Sequence, residues 1–129
     1  MKRFVFIAFF LLYAGWAHAA ERSIVIDLAA QTFVLYEGEH LVRSGTVSTG
    51  REGYDTPKGS FKVLSKERHR YSSKYKTPML FSIRFHKGYF LHLGKPTGKP
   101  ASAGCIRLSP EDSLFAFKFA KVGDTVIVR

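Results

Sequence analysis

The stretch Ser23 to Ser48 reads SIVIDLAAQTFVLYEGEHLVRSGTVS, and it decides the fold class. Ser23–Leu28 is enriched in β-branched residues and mixes apolar with polar positions, as a half-buried strand does. Ala29–Gln31 reads as a turn and Thr32–Tyr36 as a second strand. Glu37-Gly38-Glu39 then turns the chain into a third strand over Leu41–Ser48. Links this short join antiparallel neighbours, so the domain opens as a β-meander.

Working outward towards the C-terminus, short strands and turn residues continue to alternate. Gly50–Gly59 (GREGYDTPKG) holds three glycines and a proline and reads as a loop, after which Ser60–Ser65 resumes strand character. Lys66–Lys76 (KERHRYSSKYK) is polar, basic and without apolar periodicity, which predicts an exposed loop or flap. Met79–Phe85 and Tyr89–Leu93 form a further hairpin around His86-Lys87-Gly88, and Gly94–Gly104 is an irregular Gly-, Pro- and Lys-rich segment. Ser109-Pro110-Glu111-Asp112 carries a helix N-cap, proline in the first turn and acids beside the helix's positive end. Leu114, Phe115, Phe117 and Phe119 follow with mixed spacing, so the capping signal decides for helix, and the three phenylalanines are assigned to the core. Val122-Gly123-Asp124 ends it, and Thr125–Arg129 is a closing strand. The expected architecture is mostly β, a small β-sandwich or barrel-like sheet with one helix in the C-terminal half.

Working outward in the other direction, residues 1–19 stand apart from this domain. Lys2 and Arg3 precede the apolar run Phe4–Ala14, and Ala17-His18-Ala19 supplies a small-x-small cleavage pattern. The run is too short to span a bilayer comfortably, so 1–19 reads as a signal peptide and 20–129 as one exported domain without a stable membrane anchor after cleavage. An uncleaved anchor is the alternative, and it exports the domain too. The full chain carries a formal charge of +10, and loss of Lys2 and Arg3 leaves +8 on 110 residues. Such a balance favours an anionic partner. Export and the absence of an aromatic–basic motif argue against nucleic acid.

A single cysteine, Cys105, excludes an internal disulfide. An unpaired thiol in an oxidising compartment invites oxidation, which brings a chemical role level with that of an inert buried cysteine. His92 ends the apolar strand Tyr89–Leu93, thirteen positions before Cys105 in PASAGCIRL (100–108). Cysteine acyl transfer needs a thiol, a base, a group orienting that base, and donors for an oxyanion. His92 suits the base, and Gly104 would let a substrate approach the Gly104 and Cys105 amides. Arg107 is placed either to hold a carboxylate or to tie the loop down. Zinc would require three or four ligands at short paired spacings, and no such cluster occurs. No metal or cofactor is expected.

His92, Gly94, Gly98, Pro100, Ala101, Ser102, Gly104, Cys105, Ile106, Arg107 and Leu108 together resemble the signature of the L,D-transpeptidase catalytic domain, the YkuD-like family. Its members carry His-x-Gly, a Gly- and Pro-containing loop, then Ser-His-Gly-Cys, an apolar residue and Arg. Ile26-Asp27-Leu28 with Gln31-Thr32-Phe33, and Val47-Ser48-Thr49-Gly50 with Thr56-Pro57-Lys58-Gly59-Ser60-Phe61, are similar to the family as well, so the resemblance covers Ser23–Arg129. It implies a thioester on Cys105, His92 as base, and the Leu93 carbonyl orienting the imidazole. Gly104 and Cys105 amides would face the oxyanion, and Arg107, Ser102 and Gly94 would contact substrate. Tyr54, Met79 and Tyr89 are placed at the border of the donor groove. The implied substrates are peptidoglycan stem peptides in a periplasm or cell wall, with covalent inhibition by carbapenems. The departure is Ala103, where the family usually has histidine. A hydrolase using the same acyl-enzyme and a non-catalytic wall-binding domain are the competing readings. Acceptor and oligomeric state are not written in the sequence.

Overall fold

Arg22–Asp27 (β1), Thr32–Glu37 (β2) and His40–Thr46 (β3) form the expected antiparallel meander in the computed structural model, which describes residues 20–129. The expected signal peptide at 1–19 lies outside the described residues. Ile24 pairs with Leu35 and Ile26 with Phe33, so alternate apolar residues fall on one face and all four are fully buried. The other edge of β1 pairs in parallel with Thr125–Val128 (β9), which in turn pairs with Gly59–Lys62 (β4). The first sheet is thus β3-β2-β1-β9-β4.

The second sheet, of order β5-β6-β7-β8, contains Ser65–Ser72 (β5), Thr77–His86 (β6), Tyr89–Leu93 (β7) and Ile106–Leu108 (β8). The short strand β8 was not legible in sequence, because it pairs in parallel with β7 across the irregular 94–105 segment. Ile83, Phe85, Leu91, Ile106 and Leu108 meet the first sheet's residues in one apolar core, which also takes in Ala116 and Ala120. Among the described residues the result is a small sandwich with one helix, Pro110–Phe119 (α1).

Two expectations are corrected. Residues 66–76 are not a loop: β5 runs through Ser72, and only 73–76 turn the chain into β6. Lys66, Arg68 and Arg70 alternate along β5 where apolar residues would normally reveal a strand. Their cationic ends lie over aromatic rings: Lys66 and Arg68 over Phe117, Arg68 also over Phe81, and Arg70 over Phe90. Their aliphatic stems do the covering that Val or Ile would do elsewhere.

The helix does not bury its phenylalanines in the core. Its inward face is Ser113 and Ala116, continued by Ala120, all small enough to let the helix approach the sheet closely. Phe115 is exposed under Arg43, Phe117 is half-buried under Lys66 and Arg68, and Phe119 is half-buried under Arg22. Part of the chain's positive charge is therefore structural. Ser109 caps the helix through its hydroxyl to the Asp112 N–H, and the helix ends at Phe119 with Ala120 as cap, before Val122. Lys66 Nζ reaches across to donate to the Phe117 and Ala120 carbonyls, which the helix end leaves open.

Candidate active site

In β7 Leu91 points into the core, so His92 projects to the opposite, outer face of the second sheet. In β8 the buried residues are Ile106 and Leu108, which turns Arg107 to that same outer face, and the parallel register sets Arg107 beside His92. Cys105 precedes β8 by one residue. Pleat and register bring His92 and Arg107 to the wall of one cavity of about 480 Å³, which Cys105 also lines. Met79, Leu93, Gly94, Ser102 and Ala103 also line it, as do Arg51 and Tyr75, which sequence reasoning did not select.

The imidazole is held by its own strand. His92 Nδ1 lies 2.7 Å from the Leu93 carbonyl, and a carbonyl can only accept, so Nδ1 carries the hydrogen and Nε2 is left with the basic lone pair. Burial holds the imidazole below its ordinary 6.5; the bond to Leu93 opposes this shift, and the Arg107 charge adds to it. Burial likewise pushes the Cys105 thiol above its ordinary 9.0, against the opposing influence of the Phe90 backbone and the Arg70 and Arg107 charges. Both groups are therefore neutral at rest near pH 7. The thiol donates to the Gly88 carbonyl at 3.8 Å, not to His92.

Ser102 and Gly94 line the cavity and Gly104 adjoins Cys105, and all three make contacts that shape the loop. Ser102 is buried; its hydroxyl accepts from the Gly104 N–H at 3.0 Å and donates to the Cys105 carbonyl. That bond engages the Gly104 N–H within the loop itself. Gly94 is required by close packing: an added Cβ would stand 2.7 Å from Arg107 Cγ. Its N–H donates to the Leu108 carbonyl at 2.8 Å. Of the groove residues, Met79 lines the cavity; Tyr54 lies beneath the Arg51 guanidinium, and the Tyr89 ring packs against Gly104. His86, in the β6–β7 hairpin, is half-buried between Phe61 and Tyr89.

The loop carrying Cys105 is fastened to residues 47–56. Ser48 exchanges backbone bonds with Arg107, the Thr49 carbonyl accepts from the Ala101 and Ser102 N–H groups, and the Arg51 N–H donates to the Ser102 carbonyl. Behind this seam lies buried Gln31, whose amide donates to the Leu28 carbonyl and Thr49 Oγ1 and accepts from the Thr49 N–H. Nothing in the spacing of Gln31, Thr49 and Thr56 signals their role, because their partners are distant in the chain. Among the described residues no group of three His, Cys, Asp or Glu side chains is placed to hold a metal ion. The described helix is not long and apolar enough to cross a membrane.

Comparison with known proteins agrees with this architecture. The chain is 34% identical over 101 residues to the probable L,D-transpeptidase 3 of Mycobacterium tuberculosis, covering 64% of this chain and 37% of that protein. A crystal structure of an L,D-transpeptidase from Stackebrandtia nassauensis superposes with a TM-score of 0.78 at 31% identity, over 88% of this chain and 57% of the other. An LD transpeptidase solved in complex with imipenem gives a TM-score of 0.80 at 26% identity, over 85% and 59% of the two chains. The chain spans half or less of the curated relatives it matches, 37% and 49% of their lengths. The family model for the L,D-transpeptidase catalytic domain, YkuD, matches residues 21–128, and the chain belongs to that family.

Proposed function

We propose that the protein is an exported cysteine acyltransferase that acts on peptidoglycan stem peptides through a thioester on Cys105. The observation that carries this reading is the placement of His92 and Cys105 on one wall of one cavity, with the basic nitrogen of His92 freed by the Nδ1 bond to Leu93. Rotation about the Cys105 side chain takes sulfur from the Gly88 carbonyl towards Nε2, which removes the proton as sulfur attacks. The carbon attacked is the L-centre carbonyl of a stem tetrapeptide. A C–S bond forms while the carbonyl electron pair moves onto oxygen. On collapse the C–N bond to the terminal D-residue breaks, and the leaving amine takes the proton from His92. An amine on a second stem then attacks the thioester, and His92 repeats the transfer in reverse order.

Arg107, Arg51 and Lys95 surround the cavity with positive charge, which suits the carboxylates of a stem peptide. The chemistry needs no metal or cofactor. Ala103 lines the cavity where a histidine is usual, and the pair His92–Cys105 operates without it. The apolar run Phe4–Ala14 and the small-x-small pattern at 17–19 support a periplasmic or cell-wall location. Covalent capture of imipenem, the ligand of one structural relative, is expected here on Cys105.

Acid-quenched turnover of a disaccharide-tetrapeptide, followed by intact mass and peptide mapping, tests this reading. The protein should gain the acyl fragment on Cys105, and Cys105→Ala should gain nothing. An adduct of equal yield on Cys105→Ala, or none on either protein, would defeat the reading.

A further inference from the structure

Thr56 lies in the TPKG segment of the long loop, is 3% exposed, and has no side-chain role in the chemistry above. Its hydroxyl accepts from the Gly50 N–H at 3.0 Å and donates to the Gly104 carbonyl at 2.7 Å. The Gly104 carbonyl and the Cys105 N–H belong to one peptide group. Every described peptide is trans, and in a trans peptide these two bonds point in opposite directions. Thr56 lines a second cavity with Gln31, Thr49 and Pro100, whereas Cys105 lines the first. Turning the carbonyl to Thr56 therefore turns the Cys105 N–H away from the second cavity, towards the nucleophile's own side. Ser102 already holds the Gly104 N–H, so the Cys105 amide is the one of the two expected donors left for an oxyanion.

We infer that Thr56 is a positioning residue: by holding the Gly104 carbonyl it aims the Cys105 amide at the oxygen of the carbonyl under attack. The inference rests on the acyl-transfer reading. It explains why a hydroxyl is buried there, since a backbone carbonyl and a backbone N–H are bridged by one side chain with both hydrogen-bonding capacities. Gly104 permits the arrangement, because its φ of +125° suits glycine and its Cα lies against the Tyr89 ring. A donor fixed before the reaction needs no reorganisation as charge develops, which is the condition under which such a bond accelerates acyl transfer.

Two reactions of the same sulfur separate positioning from mere support. Acylation by imipenem passes through an oxyanion, whereas alkylation by iodoacetamide displaces iodide and forms none. Rates of both are to be measured by intact mass on the parent, Thr56→Val and Thr56→Ser, with melting temperature as a check on folding. Thr56→Val should acylate about 10- to 100-fold more slowly, within the effect of losing one oxyanion donor, and alkylate at the parent rate. Thr56→Ser should restore acylation to within about threefold, since it keeps the hydroxyl. Should Thr56→Val not fold, Thr56→Ala against Thr56→Ser makes the same comparison. Equal acylation by parent and Thr56→Val would overturn the inference alone, as would acylation and alkylation falling by one common factor. A parent that alkylates but gains no imipenem mass would overturn the acyl-transfer reading and this inference with it.

Discussion

Replacing Gly104 by alanine tests whether the Cys105 loop is built as described. At φ +125° an L-residue is strained whatever the surroundings, at a cost of about 1–3 kcal/mol. The added Cβ would also stand 2.8 Å from Tyr89 Cε1 and 3.3 Å from Cδ1. That ring is not free to leave, because it stacks on His86 at 6.1 Å and His86 in turn packs on Phe61. Strain and overpacking together should destabilise the fold by about 2–4 kcal/mol. For a domain of this size that lowers the melting temperature by roughly 8–16 °C. Gly53 supplies the control: its φ is +85°, but nothing lies within 4 Å of an added Cβ. Gly53→Ala should therefore lose only about 1 kcal/mol, or roughly 4 °C. Thermal unfolding followed by circular dichroism on parent, Gly104→Ala and Gly53→Ala gives the comparison. If the two variants melt within 2 °C of each other, on the order of the error implied by such estimates, the Tyr89 contact is not the constraint claimed.

Three further outcomes follow from the same geometry. Because burial holds His92 below 6.5 and lifts Cys105 above 9.0, the base is unprotonated and the thiol protonated across neutral pH. Acylation should lose rate only below pH 6.5, where His92 gains its proton, while iodoacetamide alkylation should keep rising beyond pH 9; alkylation already saturated at pH 7 would instead indicate a preformed thiolate–imidazolium pair. Lys66→Met removes the donor to the Phe117 and Ala120 carbonyls while keeping the stem over Phe117, and should cost about 1–3 kcal/mol in denaturant unfolding. Gly94→Ala should displace Arg107, whose stem occupies the space of the new Cβ, and slow turnover of anionic stem peptides more than alkylation of Cys105 by neutral iodoacetamide; equal slowing of both would remove the claim that Arg107 meets a carboxylate.

What was legible in the sequence is what local chemistry dictates. Period-two apolar residues and Gly38 mark β1 to β3, and Ser109 with Pro110 marks the helix start, each within a few residues of where it acts. His92 and Cys105 were legible as a motif, and register shows how they come together: parallel pairing of β7 with β8 converts thirteen residues of separation into one shared wall. The strand β5 was hidden because Lys66, Arg68 and Arg70 cover aromatic rings with charged side chains, which a hydrophobicity pattern scores as loop. The helix phenylalanines misled for the complementary reason, since rings clad by cations need not enter the core. Gln31, Thr49 and Thr56 were invisible as supports because their hydrogen bonds span the chain, and a polar residue's burial follows from tertiary contacts alone.

Product analysis of tetrapeptide muropeptides incubated with the protein and with Cys105→Ala decides whether Cys105 catalyses cross-linking. Cross-linked dimers, with release of the terminal D-residue, should form with the parent and not with Cys105→Ala. Shortened monomers without dimers would make water the acceptor and the protein a hydrolase. Identical products from both proteins, or unchanged substrate in both, would contradict the assignment of Cys105 as the nucleophile of an acyl transfer.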